Sequence, residues 1–160
     1  MDDDKWNGII TIHNWKGKHA FLSNFAYCIV EYEGDIYASS EHAYQAAKAE
    51  KNKRSPFLAK DVTSKIAKQM GGKKGCVKMT PERIKYWETN QINIMKEILT
   101  NKFSKNNNPE FRAKLLATGW EPLEERNWWN DKFWGTTNGI GQNNLGKLLM
   151  QIREEAREEV

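Results

Sequence analysis

Cysteine is scarce in this chain: Cys28 and Cys76 are the only two in 160 residues. They fall in stretches that read as strand and loop, which argues against a disulfide framework and for a reducing cytoplasm. Histidine is nearly as rare, and His13, His19 and His42 show no HxxxH or CxxC ligand spacing, so no metal centre is expected. No apolar run approaches the roughly 18 residues that would cross a bilayer. The start, MDDDKWNG, is acidic and lacks an apolar core, so it does not read as a secretory segment. It resembles a protease-tag remnant, and residues 1–8 are set aside as an extension to a single domain over 9–160. The dinucleotide fingerprint is missing too, since Gly139-Ile140-Gly141 is followed three residues on by Asn144, and no GxxxxGK[ST] phosphate loop occurs.

What the chain does hold is apolar (39%) and charged (29%) residue in the proportions of a water-soluble fold. Its length suffices to bury roughly two thirds of the unfolded surface. The net charge of +4 comes from lysine-rich patches at Lys51 to Arg54 and Lys73 to Lys74, balanced by the acidic tail REEAREEV. Such patches permit an anionic ligand or nucleic acid without demanding one, and a solvated face is the reading each favours by itself.

Ile9 to His13 is β-branched and reads as a strand. Tyr27 to Ala38 shows two apolar runs around Glu33-Gly34-Asp35, a hairpin signature. Ser39 or Ser40 then caps an Ala-rich helix that begins near Glu41 and continues to about Lys51. A short helix from about Thr63 to Met70 ends at Gly71-Gly72, where a left-handed cap is sterically cheap. Thr80-Pro81 starts the longest periodic stretch, with Ile84, Trp87, Met95, Ile98 and Phe103 near helical spacing. PEFRAKLLATG reads as a helix stopped by Gly119, EPLEER as a short strand, and LGKLLMQIREEAREE as an amphipathic helix burying Leu145, Leu148, Leu149 and Ile152. This order implies α+β: one mostly helical domain with a small antiparallel sheet.

Several residues invite chemistry. Glu41 belongs to the first turn of its helix, where the dipole and free N–H groups favour a carboxylate, so it reads either as a first-turn cap or as a base or charge stabiliser. Gln45 and Lys48, four and seven residues on, share its helix face and form a polar wall, or Lys48 simply pairs with a carboxylate. Asp131 lies in the aromatic cluster Trp128 to Trp134, where it is either a poorly solvated acid or a turn-forming acceptor. Trp87, at helical spacing, is core by default. Beyond the cluster, Asn143 or Asn144 caps the last helix, whose N–H groups could receive a phosphate. Trp128 and Trp129 read as packing under that loop.

FLSNF (Phe21 to Phe25), SSEHAYQAAKA (Ser39 to Ala49), KYWETNQINIM (Lys85 to Met95), LLATG (Leu115 to Gly119) and NDKFWG followed by GQNNLGKLLMQIR together resemble the NADAR, or YbiA-like, superfamily, in the family's order and over most of the chain. The resemblance implies an α+β domain that hydrolyses N-glycosidic bonds to ribose without metal or cofactor. It implies one of two substrate classes, ADP-ribose attached to guanine in DNA or ribosylated pyrimidine intermediates of the riboflavin pathway. The basic patches, which could meet a flanking backbone, favour the ADP-ribose-containing one. By matching position it implies Glu41, Trp87 and Asp131 as catalytic, and Asn24, Phe25, Lys48, Gly71, Trp134, Gly135 and Asn143 as substrate-binding. Glu41 would stabilise the ribosyl cation or activate water, Asp131 would protonate or orient the base, and Trp87 or Trp134 would stack on a ring. Two departures stand out. Where the family commonly shows Gly-Arg after the short helix, this chain has Gly71-Gly72 with Lys73 and Lys74 next, and TTNGIGQ replaces a more glycine-rich loop. A module that binds ADP-ribose or NAD without cleaving it, and a plain nucleic-acid binder, are the readings of other classes.

Overall fold

The computed structural model describes residues 5–6, 8–12 and 17–159. The chain is α+β, and its described residues form two compact units, one within Met1–Ala26 plus Asn108–Val160 and the other Tyr27–Asn107.

In the first unit, β1 (Lys5–Trp6) pairs antiparallel with β2 (Ile9–Ile12), and β2 pairs parallel with a strand from far along the chain, Leu123–Glu125. The expected strand therefore forms, although His13 lies outside the described residues. The sheet is mixed rather than purely antiparallel, because β2 and its late partner are joined by the whole intervening chain and not by a tight turn.

The second unit opens with β3 (Val30–Tyr32) and β4 (Asp35–Tyr37), an antiparallel hairpin. Its two-residue turn has positive φ at Glu33 (46°) and Gly34 (89°), the backbone that matches strand twist. Next comes α1 (Ser40–Ala47), followed by α2 (Ser64–Met70) and the 22-residue α3 (Pro81–Lys102). Each helix is capped by the hydroxyl of the preceding residue: Ser39 accepts from the His42 N–H, Thr63 from Ile66 and Thr80 from Arg83. Trp87, Ile94, Met95, Ile98 and Leu99 of α3 are buried with Val30, Tyr32, Tyr37, Ala43, Ala46 and Phe57, while Ile84, expected on that stripe, is 40% exposed.

Helix α1 stops at Ala47, short of the expected Lys51. The stop is made from a distance. Arg83 donates from Nη2 to the Ala47 carbonyl at 2.7 Å and from Nε to that of Lys48 at 3.2 Å, taking up groups the next turn would have used. Arg54, expected in a solvated basic patch, is 4% exposed; it donates to the Ala49 carbonyl at 2.9 Å and pairs with Glu33 at 3.0 Å.

The first unit closes with α4 (Pro109–Ala117), β5 (Leu123–Glu125) and α5 (Asn144–Glu158). Helix α4 ends at Gly119 with φ of 66°. Leu145, Leu148, Leu149 and Ile152 of α5 are buried, as their spacing predicts. A Cβ at Gly146 would stand 2.2 Å from the Leu123 carbonyl oxygen, so only glycine lets α5 lie this close to β5.

Candidate active site

Within the second unit, the start of α1 is locked by a closed hydrogen-bond set. His42 Nε2–H donates to the Val62 carbonyl at 2.6 Å, which leaves Nδ1 to accept from the Ser39 hydroxyl at 2.6 Å. That hydroxyl oxygen also accepts from the His42 N–H and, at 3.1 Å, from the Ser64 hydroxyl. Glu41 sits between these fixed neighbours in the first turn, and it is 7% exposed. A carboxylate so far out of water is costly unless its environment supplies charge or donors.

Both come from its own helix face. Gln45 Nε2 donates to Glu41 Oε1 at 2.8 Å. Lys48, one turn further on, donates to the Gly71 carbonyl at 3.1 Å and places its ammonium 5.5 Å from the Tyr44 ring centroid and 5.8 Å from that of Trp87. Burial pushes the Lys48 pKa below the usual lysine value, and the Glu41 carboxylate pulls it partly back. Trp87 itself is 6% exposed, its ring tilted against Tyr44 with centroids 5.0 Å apart. Glu41, Gln45, Lys48, Tyr44 and Trp87 thus form one wall of carboxylate, amide, ammonium and aromatic rings.

Gly71 belongs to this wall for a reason other than a left-handed cap. Its φ is −86°, ordinary helical backbone. A Cβ there would fall 1.9 Å from Gln45 Oε1, so the Gln45 amide fills the space a side chain would take. In that seat Gln45 Oε1 is buried without a hydrogen-bond partner. Turning the amide over would aim that oxygen at the Glu41 carboxylate, so the orientation that serves Glu41 is kept although it leaves an acceptor unpaired.

The first unit carries the other expected residues. Asp131 Oδ1 accepts from the backbone N–H groups of Phe133 (3.1 Å) and Trp134 (3.0 Å), which is the turn-forming alternative. Asn127 clamps the same turn, accepting from the Asp131 N–H at 3.0 Å and donating to Glu125 Oε2 and the Asp131 carbonyl, each at 2.9 Å. Glu125, at the end of β5, is 7% exposed, a buried acid that a reading of EPLEER as strand alone passes over. A Cβ on Gly135 would lie 1.7 Å from Glu125 Oε2 and 2.2 Å from the Glu125 carbonyl oxygen. Glycine is required there by close approach.

Asn143 stands at the N-cap of α5 with φ of 52°, yet its side chain does not cap the helix. Its amide instead bridges β5, donating to the Leu123 carbonyl at 2.9 Å and accepting from the Glu125 N–H at 3.0 Å. Nor are the first N–H groups of α5 open to a phosphate: Asn144 donates to the Phe133 carbonyl at 3.2 Å and Leu145 to that of Trp134 at 3.0 Å. Asn24 and Phe25 follow a single 3-10 turn, Ala20–Leu22, and are half-buried, with the Phe25 N–H donating to the Ser23 hydroxyl at 3.1 Å. In the aromatic cluster, Phe133 and Trp134 meet edge to face at 4.9 Å, as do Trp128 and Trp129 at 4.8 Å. Trp128 is 74% exposed, which overturns its reading as packing beneath the loop.

The NADAR domain family model matches residues 12–157, across both units. The chain is 34% identical to N-glycosidase YbiA of Shigella boydii over 92% of its own length and 88% of that protein. It is 34% identical to N-glycosidase Npun_R5314 of Nostoc punctiforme over 85% of each. A riboflavin biosynthesis protein of Vibrio vulnificus, VVA0006, is 32% identical over 88% of the chain, which spans 36% of that longer protein. Among solved structures, that of YbiA from E. coli superposes with a TM-score of 0.77 at 30% identity, covering 99% of this chain and 90% of the other. The chain belongs to the NADAR domain family, and it is a hydrolase acting on N-glycosyl bonds.

Proposed function

We propose that this hydrolase cleaves the bond between the ribose anomeric carbon and guanine in ADP-ribosylated DNA, releasing ADP-ribose. The observation that carries the reading is Glu41: a buried carboxylate at a helix start, with one oxygen bonded to Gln45. Breaking the C1'–N bond builds positive charge on the sugar, and a fixed carboxylate in a water-poor site lowers the energy of that charge. Gln45 holds the carboxylate in one orientation, and Lys48, braced on the Gly71 carbonyl and the two rings, keeps the wall in place. Water supplies the oxygen that bonds to C1', and the departing nitrogen takes a proton. Asp131 is assigned the orienting role for the base, because its Oδ1 already receives two backbone N–H groups. Trp134, half-buried beside it, is the aromatic assigned to ring stacking.

DNA as the carrier of the modified base is supported by exposed lysines in the second unit, Lys51, Lys53, Lys73, Lys74 and Lys78. The Vibrio relative's role in riboflavin biosynthesis favours a second substrate, a ribosylaminopyrimidine phosphate. Incubating the protein with each substrate separately and identifying the released sugar by mass spectrometry decides between them. Free ADP-ribose from the modified oligonucleotide is the expected product. Ribose phosphate from the pyrimidine alone would reverse the assignment, and binding of both without release would reject hydrolysis of either.

A further inference from the structure

A cavity of about 170 Å³ lies beyond the C-terminal end of α1, within the second unit. Its floor is apolar, with Phe57 fully buried beside Pro56 and Val77, whereas Lys48, Lys53, Lys78 and Arg83 stand around it with a single acid, Glu50. Glu50 is already paired with Lys53 at 3.8 Å. The lining therefore keeps a clear positive excess. At this volume the cavity takes one group of a ligand rather than a whole drug-sized molecule, which needs roughly 300 Å³ or more.

Arg83 makes the cavity selective. Its Nε and Nη2 are fixed by the carbonyls of Ala47, Lys48 and Ala49, and its guanidinium carbon lies 4.7 Å from the Tyr86 ring centroid. Nη1 makes no hydrogen bond among the described residues. A cation held on two sides with one donor group uncommitted has lost its conformational entropy in advance, so an anion meeting it need not order it. Lys78, exposed and with no hydrogen-bond or ion-pair partner among the described residues, and the exposed Lys53 add positive charge at the mouth.

We infer that this cavity is a phosphate subsite, taking the phosphoryl group of the substrate through Arg83 Nη1, Lys53 and Lys78. The inference rests on the glycosidase reading only for its biological use. Lys48 lines the cavity and also belongs to the Glu41 wall, and seven residues of helix place it about 10 Å along from Glu41. That is the reach of a ribose whose anomeric carbon is at the carboxylate and whose 5'-phosphate chain extends down the helix. The start of α5, the other place where a phosphate was expected, has its first donors occupied by carbonyls.

The test needs no turnover. Inorganic pyrophosphate is titrated into the full chain by calorimetry, and Cys76, an exposed thiol on the cavity wall, is alkylated with and without it and followed by peptide mass spectrometry. The expected result is binding that slows Cys76 alkylation, falls by at least about tenfold in K53E/K78E, and is unchanged in K105E, the same charge reversal elsewhere on the surface. No binding, binding that leaves Cys76 equally reactive, or an equal loss in K105E would overturn the subsite. An unmodified single-stranded oligonucleotide that protects Cys76 where pyrophosphate does not would assign the cavity to the flanking nucleic-acid backbone, against the inference. Pyrophosphate binding without cleavage of any ribosylated base would leave the subsite standing and reject the glycosidase reading.

Discussion

Replacing Gly71 by alanine tests whether the Gln45 amide is wedged between Gly71 and Glu41. At φ of −86° alanine is as comfortable as glycine, so the backbone contributes a gain of about 0.4–1 kcal/mol from the unfolded chain. Against that, the new methyl would meet Gln45 Oε1 at 1.9 Å, Cδ at 2.7 Å and Cβ at 2.9 Å, an overlap that forces the side chain out of its seat. Overpacking of this kind costs about 1–3 kcal/mol, and the bond to the buried Glu41 carboxylate goes with it. The expected outcome in urea unfolding is a net loss of about 1–3 kcal/mol. Gly72→Ala is the control, since a Cβ there meets nothing nearer than 3.4 Å. In a Gln45→Ala background the contacts with Oε1 and Cδ are gone and only that with Cβ at 2.9 Å remains, so Gly71→Ala should then cost less than in the wild type by about 1 kcal/mol or more. Equal costs in both backgrounds would refute the wedge and return Gly71 to a plain helix terminator.

Gly135→Ala meets a backbone oxygen as well as a carboxylate, at 2.2 and 1.7 Å, so it should destabilise by about 3 kcal/mol or more in the same assay. Lys102 is fully buried, and burial pushes its pKa from 10.5 down to about 8. Between those values the unfolded chain binds the extra proton, so stability should rise with pH from about 8 towards 10.5, by about 1.4 kcal/mol per pH unit at most. Lys102→Met should abolish that slope, measured as the difference in unfolding free energy between the two proteins. An identical pH dependence in both would contradict the assignment. Asn143→Leu removes two hydrogen bonds to β5 and should cost about 2 kcal/mol in stability, while a loss of substrate affinity with unchanged stability would show that the side chain serves the ligand instead.

Features set within a few residues were legible in the sequence. Thr80-Pro81 marks the start of α3, Glu33-Gly34 the hairpin turn, and Ser39 the cap that places Glu41 in a first turn. Features set by distant chain were not. Helix α1 ends four residues early because Arg83, 36 residues from Ala47, claims its carbonyl. Arg54 is drawn from a basic run into the interior by Glu33 and the Ala49 carbonyl, and β2 finds its parallel partner only after the chain returns at Leu123. The site shows the same division. The helical spacing of Glu41, Gln45 and Lys48 puts them on one face, but the seating of Gln45 against Gly71 and the occupation of the start of α5 by carbonyls 133 and 134 are contacts between residues about ten or more apart, which local spacing does not encode.

In the proposed reaction the Glu41 carboxylate stabilises charge on the ribose as its bond to the base breaks. Single-turnover release of ADP-ribose from an ADP-ribosylated single-stranded oligonucleotide, compared between wild type and Glu41→Gln, tests it directly. The glutamine keeps the shape and removes the charge, so release should slow by about 100- to 10,000-fold while the oligonucleotide still binds. Release at the wild-type rate from the glutamine variant would show that the Glu41 charge has no part in breaking the bond.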